Sequence, residues 1–323
     1  MAKKMIWAYL IHLCETMWPM GDPDSKDNLN KTEEEAYRHC EQLRVDWDMF
    51  FETMDYLPSQ GVNTLIFDLG NAVQFERHPE INMKEAITKD QMKKVIDRCR
   101  ALGMMPVPKL NFSAGHDPWL KKYSLMLGTE EYYGVCRDCI DETAELFGYP
   151  ELFHLGLDEE NFANQGGYGF QIVRAPHIWW RDAHRLFDRC AHHNMRPWVW
   201  SDDYWNHPKE FFDNMPKSVL QAPWYYAPPR TLIDKDHLPL QKGFRTYFDL
   251  AEKGYDITPT CSTWHNEYNT DFTFMLVKEM LDPEHTLGIM TAPWDYCMGD
   301  GNYLCMQDAQ RFGDAKRKYF PED

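Results

Sequence analysis

Basic charge is scarce in this 323-residue chain: 34 Lys and Arg stand against 51 Asp and Glu, a formal net charge of −17. A surface of that sign repels phosphate backbones, so no nucleic-acid partner is expected. The one dense basic cluster, Lys316 to Lys318, falls in the last helical pattern, where cations complement the helix dipole. No apolar run approaches the roughly 18 residues that a spanning helix needs, so no membrane partner is expected. The 18 glycines follow no period, which excludes a collagen-like chain. The apolar start at 1–13 has no small-residue cleavage site behind it, only Glu15, Trp18 and Pro19, and reads as a first strand rather than a secretory leader. Nine scattered cysteines, an odd number, do not form a disulfide framework and point to a reduced, cytoplasmic compartment. Cys136 and Cys139 make a lone CxxC with no second pair, which suits a packed helix face better than a zinc or redox site.

What the chain does have is a globular composition, 43% hydrophobic and 15% aromatic. Short apolar runs alternate with longer amphipathic stretches. The runs at 5–12, 63–68, 105–111, 152–156, 197–201, 219–224, 257–264 and 287–294 are predicted strands. Helices are predicted at 32–57, 89–102, 130–147, 179–193, 208–215, 244–253, 272–281 and 303–319. The clearest spans 89–102, where Met92, Val95, Ile96, Cys99 and Leu102 recur at three and four spacing between Thr88 and Gly103. Eight such repeats suit a closed (β/α)8 TIM barrel, an α/β fold, as a single domain over 1–323. A doubly wound sheet would carry a glycine-rich phosphate turn after the first strand, and 12–21 has none.

In a barrel of this kind the chemistry is built where the strands end. Those ends carry Glu15 and Trp18, Asp68 and Asn71, Asn111 and His116, Asp158 to Glu160, Trp200 to Asp203, Trp224 and Tyr225, Trp264 to Glu267, and Trp294 and Asp295. Trp200, Trp224, Trp264 and Trp294 recur at the same place in units five to eight. Indole faces ringed by carboxylates suit a sugar, whose C–H faces stack while its hydroxyls take hydrogen bonds, so a carbohydrate is the expected partner. Tyr225, Asp203, Glu267 and Asp295 are further candidates for hydroxyl contacts or for a nucleophile. The sharpest string is Phe153-His154-Leu155-Gly156-Leu157-Asp158-Glu159-Glu160. Adjacent carboxylates take two roles only where the strand bends into its loop, and a buried Glu beside Asp and indoles suits a general acid.

His154-x-Gly156-x-Asp158-Glu159 resembles the His-x-Gly-Gly/Ala-Asp-Glu signature of family 20 glycoside hydrolases, the β-N-acetylhexosaminidases. The unit from Ile87 through Pro106-Val107-Pro108-Lys109-Leu110-Asn111 to Gly115-His116 is similar to that family's helix and Pro-Glu-Ile-Asp-x-Pro-Gly-His strand, and Trp198 to Asp203 to its fifth strand. The resemblance implies hydrolysis of a glycoside, with Glu159 as general acid and Asp158 orienting a 2-acetamido group that acts as internal nucleophile. His116 and His154 would be supporting pocket histidines, and neither metal nor organic cofactor is implied. The chain departs from the pattern at Leu157, Lys109 and Asn111, in the extra residue of Ser113-Ala114, and in a first strand without the family's arginine. The α/β domain that often precedes this barrel in the family is not expected, because the first strand begins at residue 5.

Three alternatives stand beside this reading. A conventional two-carboxylate mechanism would use Asp202, Asp203, Glu267 or Asp295, about 5 Å from Glu159 for retention and roughly 6.5 to 9.5 Å for inversion. A metal-dependent sugar isomerase or epimerase would draw on His12, Glu15, His154, Glu159, His265 and Glu267. A non-catalytic carbohydrate-binding barrel would keep the pocket without turnover. Gly166 to Gly169 is a predicted loop that closes over the pocket.

Overall fold

The computed structural model describes residues 5–14, 41–161, 165, 172–227, 238–264 and 266–323. Its eight strands are β1 (Ile6–His12), β2 (Thr64–Asp68), β3 (Met105–Lys109), β4 (Leu152–His154), β5 (Arg196–Trp200), β6 (Leu220–Ala222), β7 (Thr260–Cys261) and β8 (Gly288–Thr291). They form one sheet in the order β6-β5-β4-β3-β2-β1-β8-β7, parallel throughout. Single parallel bridges, Gln221 with Ile257 and Trp224 with Thr260, join the two ends and close the barrel.

Strands covered on both faces read as continuous apolar runs, and all five residues of β2 are buried. Ala8, Leu10, Ile66, Val107, Leu152, Trp198, Leu220 and Met290 fill the barrel interior. Their neighbours Tyr9, Ile11, Leu65, Phe67 and Phe153 pack outward under the helices. Gly288 sits where β8 meets β1, and a Cβ there would run into the Ile6 backbone, so no larger residue fits.

The surrounding helices are α1 (Trp47–Tyr56), α2 (Lys89–Ala101), α3 (Glu130–Leu146), α4 (Pro176–His192), α5 (Asp203–Asn206), α6 (Pro208–Asn214), α7 (Leu238–Glu252), α8 (Asn269–Glu279) and α9 (Gly299–Tyr319). Local chemistry sets their starts. Thr88 and Gln91 form a reciprocal capping box on α2, and Asp46 accepts from the amides of Asp48 and Met49 at α1. That cap corrects the predicted start at 32: residues 41–46 are not helical, and 32–40 lie outside the described residues. Pro176 occupies the first turn of α4 and begins it three residues before Trp179. Helix α9 begins at Gly299, before the expected 303, because Gly299-Asp300-Gly301 reads locally as loop. Cys136 and Cys139 are buried on α3. No helix among the described residues is long and apolar enough to cross a membrane.

Candidate active site

Four consecutive strands place polar side chains at one level of the barrel. His12 is in register with Asp68, Asp68 with Lys109, and Lys109 with His154. All four are essentially inaccessible to solvent. Asp68 Oδ2 accepts from Lys109 Nζ at 2.7 Å and from His12 Nδ1 at 2.9 Å. Burial alone would raise the Asp68 pKa, but the Lys109 ammonium and His12 outweigh it and hold the carboxyl far below its usual range. Burial, reinforced by Lys109, drives His154 the other way and keeps it neutral. Its Nδ1 accepts from the Gly156 amide at 3.1 Å, so its proton sits on Nε2.

Above this layer the chain leaves β4 through a sharp bend. Gly156, Leu157 and Glu159 have φ of 70°, 66° and 53°, a left-handed conformation that costs a non-glycine residue about 1 to 2 kcal/mol. A Cβ on Gly156 would collide with the Asn111 carboxamide, so only glycine admits it there. The bend brings neighbouring carboxylates onto one partner. His116 Nε2 lies 3.4 Å from Asp158 Oδ2 and 3.3 Å from Glu159 Oε2. Burial lowers the His116 pKa, but Asp158 and Glu159 more than offset it and raise it to about 9, so the imidazole is cationic at neutral pH.

Side chains from neighbouring strands hold the bend. Asn111 Nδ2 donates to Asp158 Oδ1 at 2.8 Å, while Asn111 Oδ1 accepts the amides of Ser113 and Leu157 at 3.1 and 3.2 Å. Ser113 Oγ donates to the Asp158 carbonyl. The Glu159 amide donates to Asp202 Oδ2 at 2.7 Å. Glu160 turns away from the mouth: it accepts from Arg174 and, at 3.0 Å, from Trp179 Nε1. Arg174 also donates to Tyr133 at 2.8 Å and Asp182 at 3.2 Å, anchoring the chain beyond the acid pair.

A continuous aromatic wall stands beside the pair. Ring centroids are 4.9 Å apart for His154 and Trp200, 5.7 Å for Trp200 and Trp294, and 5.7 Å for Trp294 and His12. Tyr226 stacks on Trp224 at 5.2 Å and meets Trp294 edge-on at 6.3 Å, and Trp205 packs on Trp224 at 4.5 Å.

Of the residues singled out in the sequence, His116, His154, Asp158, Glu159, Trp200, Trp224 and Trp294 are brought together. Trp264 differs from these in being 58% exposed. Tyr225 packs outward against Phe244 of α7 at 5.6 Å, because side chains alternate along an extended segment and the mouth-facing position falls to Tyr226. Asp203 pairs at 2.9 Å with His207, just past the end of its own short helix, and Asp202 takes the place beside the acid pair. Glu267 pairs with Arg311 at 2.8 Å on the surface. Asp295 accepts the Tyr296 amide at 2.8 Å beside the start of α9. Glu15, Trp18, His265 and 166–169 lie outside the described residues. The sequence offered Asp202 only as an alternative nucleophile and His12 only as an alternative metal ligand, noted Asp68 and Asn111 at strand ends without a role, and did not select Lys109, Trp205 or Tyr226 as site residues.

Among the described residues, one group of His, Cys, Asp or Glu has metal-like spacing: ligand atoms of His116, Asp158 and Glu159 lie within 4.8 Å of one another.

No family model matches the sequence, and no curated protein matches it. The fold does match solved structures, at low identity. A β-N-acetylhexosaminidase from Bacteroides fragilis superposes with a TM-score of 0.59 and 12% identity, over 98% of this chain and 71% of that one. Dispersin B gives 0.57 and 13%, over 97% and 98%. A family 20 exo-β-N-acetylglucosaminidase from Vibrio harveyi, solved with N-acetylglucosamine, gives 0.57 and 12%, over 99% and 57%. The chain thus has a (β/α)8 barrel fold and is similar in fold to the family 20 barrels.

Proposed function

We propose that this protein is a glycoside hydrolase that works at the mouth of the barrel as one catalytic domain. The observation that carries the reading is the convergence of Asp158 and Glu159 on His116 beside the aromatic wall. Glu159, 24% exposed at its side chain, is the general acid that protonates the leaving oxygen. Asp158, held by Asn111, positions the reacting group, and for an N-acetylhexosaminide it orients the 2-acetamido group that attacks the anomeric carbon from within the substrate. Trp200, Trp224, Trp294 and Tyr226 supply faces for the sugar ring. The solved β-N-acetylhexosaminidases of the same fold support this substrate class. The buried free thiols support a reducing, cytoplasmic setting.

The test is hydrolysis of aryl glycosides with and without a 2-acetamido group by wild type and Glu159→Gln. Turnover confined to acetamido sugars and lost in the variant is the expected result. Turnover by E159Q at the wild-type rate overturns the assignment of Glu159. The spacing of His116, Asp158 and Glu159 favours one second reading, a metal-dependent sugar isomerase or epimerase. Stoichiometric divalent metal in the purified protein, with activity abolished by a chelator, would select it.

A further inference from the structure

Asp202 is the first residue of the turn that leads from β5 into α5, the position where an Asp ordinarily caps its own helix. It makes no such cap. Its carboxylate points across the barrel mouth, where Oδ2 accepts the Glu159 amide at 2.7 Å and Oδ1 lies 3.5 Å from Trp224 Nε1. One buried side chain therefore joins the ends of β4, β5 and β6. The amide it holds belongs to a residue in the left-handed region, φ 53°, where the backbone needs an external partner to stay.

We propose that Asp202 is the positioning residue of the acid pair, fixing the direction of the Glu159 carboxyl through its backbone amide. The proposal rests on the glycosidase reading for its kinetic consequence and on geometry alone for its structural one. The titratable groups that face Asp202 are Asp158 and Glu159, with His116 behind them; Asp203, on its own turn, faces His207. Burial first, then the Asp158 charge, favours the protonated form of Asp202.

The test compares Asp202→Asn with Asp202→Ala. D202N keeps an acceptor for the Glu159 amide and cannot ionise, whereas D202A removes both. D202A is expected to lose about a hundredfold in kcat with little change in KM, the scale of a misplaced reacting group. D202N should recover most of that loss. A purely structural role would lower the melting temperature of D202A and leave kcat unchanged, which overturns the proposal. One measurement needs no turnover: a crystal structure of D202A should show residues 157–159 displaced, and D202N should keep them in place. An unmoved bend in D202A overturns the proposal even if glycosides are hydrolysed. Failure of every glycoside with the bend displaced in D202A overturns the glycosidase reading and keeps Asp202 as the positioning group.

Discussion

Asn111 holds Asp158 with one end of its carboxamide and the bend beneath it with the other. Nδ2 donates to Asp158 Oδ1 at 2.8 Å, and Oδ1 accepts the Leu157 amide at 3.2 Å. A carboxylate at 111 would keep the second contact and replace the first by repulsion between two negative charges. The choice of amide over acid therefore decides whether Asp158 is held or pushed away.

Asn111→Asp should lower kcat by on the order of tenfold or more, because it removes a charge-assisted hydrogen bond worth about 1.5 to 3 kcal/mol. The melting temperature should fall with it. Steady-state kinetics and thermal unfolding of the variant check both, and unchanged kcat would show that Asp158 needs no such partner.

His116 links the acid pair to stability. Its folded pKa of about 9 lies above the usual histidine value of 6.5, so its contribution is complete below pH 6.5 and is lost as the pH rises through 9. Each unit of that window is worth about 1.4 kcal/mol. Thermal unfolding of wild type should weaken across the window, and His116→Gln should flatten that part of the profile. An equal slope in H116Q would assign the dependence to another group.

Lys109 and Asp68 are a buried charged pair, and breaking it from one side leaves the other charge uncompensated. Lys109→Met should destabilise by about 3 to 5 kcal/mol, while Lys109→Met with Asp68→Asn should regain much of that loss. Urea unfolding of the two variants measures the difference. If the double variant is no more stable than K109M, the pair is not the unit that matters.

The tryptophans divide by position. Trp200→Ala removes a buried ring from the aromatic wall and should weaken sugar binding by at least tenfold, about 1.4 kcal/mol. Trp264→Ala, at an exposed site, should leave the affinity within about twofold. Calorimetric titration with the best substrate analogue separates them, and equal losses would return Trp264 to the pocket.

The strands were legible because a parallel barrel buries both faces of each one, and burial writes short apolar runs such as Thr64 to Asp68 into the chain. The acid pair was legible because Asp158 and Glu159 follow a strand and lie in a string that resembles a known signature. Choices between adjacent residues were not. Tyr225 or Tyr226, and Asp202 or Asp203, differ only in which way a side chain points as a strand ends, and a single residue of phase reverses the answer.

By itself the sequence determined the barrel, the order of its eight units and the position of the carboxylates, since periodicity and burial are properties of consecutive residues. Tertiary structure decided the rest. His12, Asp68, Lys109 and His154 are far apart along the chain and meet because parallel register sets them at one level. The left-handed turn at Glu159 and the reach of Asp202 across the mouth depend on partners from other strands, and no local pattern encodes a partner that only the closed barrel brings near.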